Sequence, residues 1–469
     1  MRGRFSVTVI VTCALGCAAQ APRVDWSASP RVDARRPLVA PSATEIRLAN
    51  GIRVVVIENH RLPIVAIAAV QLSAGGREDG ASAGVAALTA DLLDEGAGAR
   101  DATQLAEALE RAAARIDIYV ASDYASVQVI TTSDHIEATL DLLADMIRRP
   151  RLADADIQRV RERRLAELED RRRRSRTIAA QLFDRIMFAS HPYATPAEGT
   201  VAGLTSVEAS HVRAFWRRAY RPEQLTLVVA GDVRSEALRP VMQRAFGDWT
   251  NTTPAASTPT RPMDRSAPQL GYIDVPGAEQ SVVLIGRRGA AAADPHRLAG
   301  DVANAILGGG VGSRLDRELH DKLGIALAAS TSFWRGHLAG TWSMTATVRT
   351  DATAQAIRTA LSIIDTARKT DVAPVELARA KANLVRAAAQ TFDTMAGTSR
   401  AFERLVAQEL PLTWFADYER ALARIDAAAV RGAAQAAWSD LSIVVVGDWS
   451  KIGAELGALG LPVVKYTLP

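Results

Sequence analysis

Cysteine is almost missing from this 469-residue chain: its two copies, Cys13 and Cys17, both fall in the first twenty residues. The remainder can form no disulfide and no thiolate metal site, and it offers no cysteine nucleophile. Aromatic residues are only 5% against 48% hydrophobic overall, so the core must be built from small and aliphatic side chains. An excess of one charge is lacking too. Lys+Arg total 56 and Asp+Glu 52, which leaves +4 and no field suited to nucleic acid. After the N-terminal segment no run of ~18 apolar residues occurs, so the body is expected to be soluble, with no membrane span. The seven histidines, His60, His135, His191, His211, His296, His320 and His337, never stand in an i,i+4 pair, the spacing by which one helix face holds a metal. No Gly-x-Ser-x-Gly elbow occurs either. What is present is the mix of a globular protein, with 23% charged residues. At ~100–200 residues per domain the length predicts two to four domains.

The N-terminus reads as a secretory signal over 1–20. Arg2 and Arg4 precede an apolar run from Ser6 to Gly16, which at roughly a dozen residues is too short to cross a bilayer as a helix. The run ends Ala14-Leu15-Gly16-Cys17. This resembles a bacterial lipobox, in which Cys17 becomes the lipidated first residue of the mature chain. Simple cleavage after Ala19-Gln20-Ala21 is the other reading. Ala18 lacks the acidity that favours inner-membrane retention, so the expected location is the bacterial cell envelope, periplasmic face, anchored to the outer membrane. Residues 21–42, rich in Pro, Ala, Ser and Arg, read as a tether.

Order is expected from 43 onward. Asn50-Gly51 between Thr44–Leu48 and Ile52–Ile57 is a hairpin signal, and a strand follows over Ile64–Leu72. Helical periods occupy about 82–95 and 102–113, strands 116–121 and 124–131, helices 134–147 and 152–174, and a last strand Leu225–Ala230 ends in Gly231-Asp232. Thr250–Pro262 holds three prolines and no apolar period, the mark of a linker. The pattern then restarts: a strand over Val282–Ile285, a helix ending at Leu307, two strands, helices over 353–368 and 375–390, and a final strand closing into Gly447-Asp448, 216 residues after its counterpart. This predicts a duplicated α+β fold, mostly antiparallel sheet with helices on one face. The expected domains are 43–249 and 265–469, joined by a linker over 250–264.

Several strings, in this order, resemble the insulinase/pitrilysin/mitochondrial processing peptidase family of zinc endopeptidases. They are Leu48-Ala49-Asn50-Gly51-Ile52-Arg53-Val54-Val55-Val56, Ser73-Ala74-Gly75-Gly76-Arg77-Glu78, Gly84-Val85-Ala86, His191-Pro192-Tyr193, Tyr220-Arg221-Pro222 and Leu307-Gly308-Gly309-Gly310-Val311-Gly312-Ser313-Arg314-Leu315. The resemblance implies a zinc motif, His-x-x-Glu-His, on the helix after the first Gly-rich turn. Two histidines on one helix face would share a Zn²⁺, and the glutamate would activate a water. Here those positions hold Ala87, Ala90 and Asp91, and the third-ligand position on the later helix holds Glu167. Such a set lacks both histidines and the general base, whose loss alone typically costs ~10²–10⁴ in rate. No zinc or other cofactor is therefore expected, unless Asp91 and Glu167 form an atypical site with a further ligand. Glu167 itself lies in a charged helix and reads as a solvated residue.

Relatives that divide the work between two chains are implied to contribute an arginine and, seven residues on, a tyrosine to hold substrate and oxyanion. Here the positions are His320 and Leu327. The glycine-rich loop of Gly308, Gly309, Gly310 and Gly312 is implied to touch peptide substrate; the plainer reading is a tight turn that needs glycine for its geometry. The run Arg171–Arg176 reads as a solvated face neutralised by i,i+4 acids. His191 reads as a loop anchor, and Trp414, Phe415 and Tyr418 as core.

Three functions compete. The first is a non-catalytic envelope subunit that binds peptide and pairs with a zinc-bearing homologue to enclose a proteolytic chamber. The second is an active metalloendopeptidase with an atypical site. The third is a structural subunit of the kind found among respiratory-complex core proteins. None of them involves nucleic acid, and the membrane enters only through a lipid anchor.

Overall fold

The computed structural model describes residues 38–79, 82–254, 260–262 and 267–467. The signal segment with Cys17, the tether up to residue 37 and parts of the linker lie outside the described residues.

Each half contributes one six-stranded sheet. In the first, β1 (Thr44–Arg47), β2 (Arg53–Glu58), β3 (Ile64–Gln71), β4 (Arg115–Val120), β5 (Ala125–Thr132) and β6 (Leu225–Gly231) lie in the order β1-β2-β6-β3-β5-β4. In the second, β7 (Leu270–Asp274), β8 (Gln280–Gly289), β9 (Ala326–Arg335), β10 (Gly340–Arg349), β11 (Ser442–Gly447) and β12 (Val463–Lys465) lie in the order β9-β10-β8-β11-β7-β12. The run β2-β6-β3-β5-β4 repeats strand for strand as β7-β11-β8-β10-β9. In both copies the first pair is parallel and the rest antiparallel. The duplication read from the two Gly-Asp strand ends is thus present in the sheets themselves. Gly231 shows why that signal exists. Its φ is +139°, and a Cβ there would stand 2.1 Å from the Ile64 carbonyl oxygen, so only glycine closes the strand beside β3.

The hairpin forms as expected. β1 and β2 pair antiparallel around Asn50-Gly51, with Gly51 at φ +91° and the Leu48 N–H donating to Ile52 O at 3.0 Å. Six helices carry or support the candidate site residues: α1 (Val85–Asp91), α2 (Asp154–Arg171), α3 (Ser175–Phe188) and α4 (Ala209–Ala219) in the first half, α5 (Arg297–Leu307) and α6 (Met395–Ala407) in the second. The run expected over 152–174 ends instead at Arg171, because the chain turns at Arg172–Arg174 before α3 begins.

Each sheet packs helices of its own half on one face, and the opposite face is covered from the other half. α6 lays Phe402, Leu405 and Val406 on Val55, Ile57, Ala68, Val70, Val228 and Ala230 of the first sheet. α3 lays Ile178, Leu182, Phe183 and Ile186 on Ile273, Val282, Leu284, Val444 and Val446 of the second. This exchange explains why the central strands read as unbroken apolar runs rather than alternating ones: both faces are buried, and all of Leu225–Gly231 is. Phe402, at 0% exposure, is the largest side chain in the first of these contacts. Phe402→Ala is expected to cost about 3–5 kcal/mol, a loss that denaturant unfolding will read directly.

Candidate functional site

α1 is short and is held at its start by one carboxylate. Asp79 Oδ2 accepts from the Gly84 N–H at 2.6 Å and Oδ1 from the Ala86 N–H at 2.8 Å, satisfying donors that a helix start leaves open. The helix packs against the edge strand β4 and against α2 and α4. Ala87 and Ala90 are 2% and 1% exposed, and their methyl groups can neither ligate a metal nor take up a proton.

Asp91, on the same face, is not free. Its Oδ2 accepts from Arg164 Nε at 2.8 Å and Nη2 at 2.5 Å, across from α1 to α2, with side-chain exposures of 20% and 13%. Burial pushes the Asp91 carboxyl above the usual carboxylate range, against the pull of Arg164. Beneath it the Tyr220 hydroxyl is buried without a hydrogen-bond partner among the described residues, and burial together with the charge of Asp91 raises its pKa. Glu167, one turn beyond Arg164 on α2, is exposed. Among the described residues no three His, Cys, Asp or Glu side chains are placed to share a metal ion. The zinc implied by the sequence resemblance does not fit here. Of its three ligand positions, Ala87 is a buried methyl group, Asp91 is spent on a guanidinium whose own positive charge would repel a dication, and Glu167 alone is an exposed carboxylate; the general-base position, Ala90, is a second buried methyl group.

The second-half positions are equally changed. His320 sits in a π-helical turn over Arg317–Lys322 and is exposed; its Nδ1 lies 3.0 Å from the Ala326 carbonyl oxygen. Leu327 is the extra residue of a bulge in β9, between Ala326 and Ala328, and is 64% exposed. A bulge on an edge strand re-aims its side chain; here the side chain is aliphatic and carries no donor. In the glycine-rich loop, Gly308 is buried and accepts from the Thr331 N–H at 2.9 Å, and a Cβ there would stand 2.7 Å from the Thr331 side chain. Gly310 and Gly312 take φ +152° and +75° with open space around them, and they flank Val311, which is fully exposed.

Two buried carboxylates that no sequence motif announces tie the halves together. Asp123, in the turn after β4, accepts from Arg77 Nη1 at 2.6 Å, from the Tyr193 hydroxyl at 2.5 Å and, across to the second half, from the His337 N–H at 2.8 Å. His191 supports this clasp as a loop anchor: its Nδ1 accepts from the Tyr193 N–H at 3.1 Å, and its Nε2 lies 3.0 Å from Thr260 O. Glu403 of α6, 1% exposed, accepts from the Tyr119 hydroxyl of β4 at 2.5 Å and from Gln128 of β5. Arg77 and the His-Pro-Tyr string were visible in the sequence, but the acid they share, Asp123, lies 46 residues from Arg77 and 70 from Tyr193, and its donor from the second half, His337, lies 214 residues from it.

A cleft of about 780 Å³ opens between the halves, walled by α3, the turn before it and the loop Tyr193–Gly199, with β10 opposite. Burial, with Glu198 adding to it, pushes Asp184 in this cleft up to about 7. An unfolded aspartate releases its proton near ~4, so the folded chain binds more protons between those values and stability falls as pH rises through that window. Asp184→Asn removes the penalty. It is expected to gain about 2 kcal/mol at pH 8 and nothing at pH 4, read by unfolding at both values.

Known proteins share this architecture. The family model described as "Insulinase (Peptidase family M16)" matches residues 53–201, and "Peptidase M16 inactive domain" matches 206–384. An uncharacterized zinc protease of Mycobacterium leprae is 28% identical over 286 residues, 60% of this chain and 63% of that protein, so the chain spans a little under two thirds of that relative. The cytochrome b-c1 complex subunit 1 of Caenorhabditis elegans mitochondria is 27% identical over 216 residues, 46% of this chain and 45% of that one. Among solved structures, a peptidase M16 inactive domain from Pseudomonas fluorescens superimposes with a TM-score of 0.81 at 22% identity, covering 87% of this chain and 98% of its own. At that identity the likeness is one of fold.

Proposed function

This chain belongs to the insulinase (M16) peptidase family, and we propose that within it the chain is a non-catalytic subunit that pairs with a zinc-bearing homologue and helps to enclose a peptide chamber. The observation that carries this reading is the Asp91–Arg164 ion pair flanked by buried Ala87 and Ala90, which takes the place where the family motif would hold a metal. What remains useful to a peptidase complex is shape. β4 is an unpaired sheet edge running beside α1, and an extended peptide can add to such an edge through main-chain hydrogen bonds. The loop around Gly310 and Val311 is the second surface offered to peptide. Cys17 anchors the chain to the outer membrane, facing the periplasm. The relative named as a cytochrome b-c1 complex subunit favours a second reading, a purely structural subunit.

Native mass spectrometry of the protein gently extracted from its own envelope separates the two. A complex of two unlike chains of similar mass that carries one zinc, with none on this chain after separation, is the expected result. A complex with unrelated proteins and no peptidase supports the structural reading. A lone chain or homodimer with stoichiometric zinc overturns both.

A further inference from the structure

α3 crosses onto the second sheet and packs chiefly over β8, β11 and β7, reaching β9 at its last residue, where Phe188 meets Trp334. The outward side of β10 is left to the cleft, where Thr341, Ser343 and Thr345 line the floor; their neighbours across the strand pair are Trp334, Ser332 and Ser330 on β9. A sheet face left uncovered by a helix and furnished with hydroxyls is a polar floor, with donors and acceptors for main-chain amides.

The opposite wall carries charge, and most of it is matched. Arg171 pairs with Glu198 at 3.2 Å, and Arg174 pairs with Asp170. Two lining groups are left over, Arg176 and Asp184, and neither forms a hydrogen bond or ion pair among the described residues. Both lie on α3, eight residues apart, which at ~1.5 Å per residue sets their Cα atoms about 12 Å apart along the cleft. One turn past Asp184 the cleft ends in aromatic rings, with Trp334 edge-on to Phe188 at 5.9 Å and to Tyr193 at 4.9 Å between centroids. Aromatic faces suit a cation.

We propose that this cleft binds an extended peptide segment of about four residues, at ~3.3 Å per residue, whose positive group meets Asp184 and whose negative group meets Arg176. The proposal rests on the peptide-binding reading above and gives it a charge pattern and a length. The raised pKa of Asp184 agrees with it: a carboxyl facing Glu198, with Arg171 and Arg174 already spent on other acids, has no counter-charge of its own until a ligand brings one.

The test is calorimetric titration of the full chain, at low salt and pH 8, with three blocked tetrapeptides: acetyl-Lys-Ala-Ala-Glu-amide and its two versions with Gln in place of Lys or of Glu. The doubly charged probe is expected to bind about tenfold tighter than either single-charge version. Asp184→Asn should erase the difference made by Lys and keep that made by Glu; Arg176→Gln should do the reverse. Binding of the doubly charged probe to the parent should weaken from pH 8 to pH 6 as Asp184 takes up a proton. Equal binding of all three probes, or a Lys preference that survives Asp184→Asn in a chain whose melting temperature shows it folded, overturns the proposal. An unfolded carboxymethylated protein serves as the control for the broader reading. If it binds while the tetrapeptides do not, the cleft proposal fails and peptide binding at the β4 edge stands; if neither binds, both fail.

Discussion

Asp91→Ala is expected to cost the fold about 2–3 kcal/mol, whereas Asp91→Leu combined with Arg164→Met leaves stability within about 1 kcal/mol of the parent. The asymmetry comes from the geometry. Arg164 places two donors on one Asp91 oxygen, and both side chains are largely out of water. Removing the acid strands a guanidinium beside the buried Ala87 and Ala90, while removing both charges returns the space to apolar atoms. Guanidinium unfolding of the three proteins measures the cycle. A companion result is that added zinc leaves the parent's melting temperature unchanged, since a ligand stabilises only by binding the folded form. A rise of several degrees with zinc, lost in Asp91→Ala, would mean that Asp91 is a metal ligand and the ion pair its resting state.

Asp123→Ala has the second large effect expected. Its carboxylate gathers the Arg77 guanidinium, the Tyr193 hydroxyl and the His337 N–H, which come from three separate segments and both halves. Arg77 is only 12% exposed at its side chain, so loss of the acid takes an ion-pair partner from a buried guanidinium and the acceptor from a buried phenol. A cost of about 3–4 kcal/mol results. The loss should also be local. Amide exchange at His337 and Leu338 and around Gly76-Arg77 should rise well above the parent's, while β3 and β8, secured by the exchanged helices, keep their protection. Uniform acceleration across both sheets would show instead that the clasp holds the whole fold.

What the sequence disclosed and what it hid divide along one line. Features that depend on near neighbours were legible: the Asn50-Gly51 hairpin, the Gly-Asp strand ends, the helices over Thr353–Lys369 and Pro374–Thr391, and the repeat of one half by the other. The identities at Ala87, Ala90, His320 and Leu327 were legible as well, because a motif is a local spacing; what those positions do is for the metal and cleavage measurements to decide. Hidden were the things that need a long reach. The helix α3 carried no expectation from the sequence, and nothing local to Ser175–Phe188 says that it lands on the other half's sheet. The arginine run Arg171–Arg176 concealed the turn between α2 and α3, since like charges look the same on a helix and at a corner. Nothing beside Asp91 in sequence announces Arg164, 73 residues away, and Asp123 and Glu403 are ordinary acids until their partners arrive from distant segments.

The central claim is that this chain keeps the fold of a metallopeptidase and has lost the site. The measurement closest to it is the metal content of the purified single chain, taken by mass spectrometry after dialysis against zinc, with cleavage of an unfolded protein followed on the same sample. The account predicts far less than one zinc per chain and no cleavage above buffer. One zinc per chain with steady cleavage, both abolished by Glu167→Ala, would contradict it.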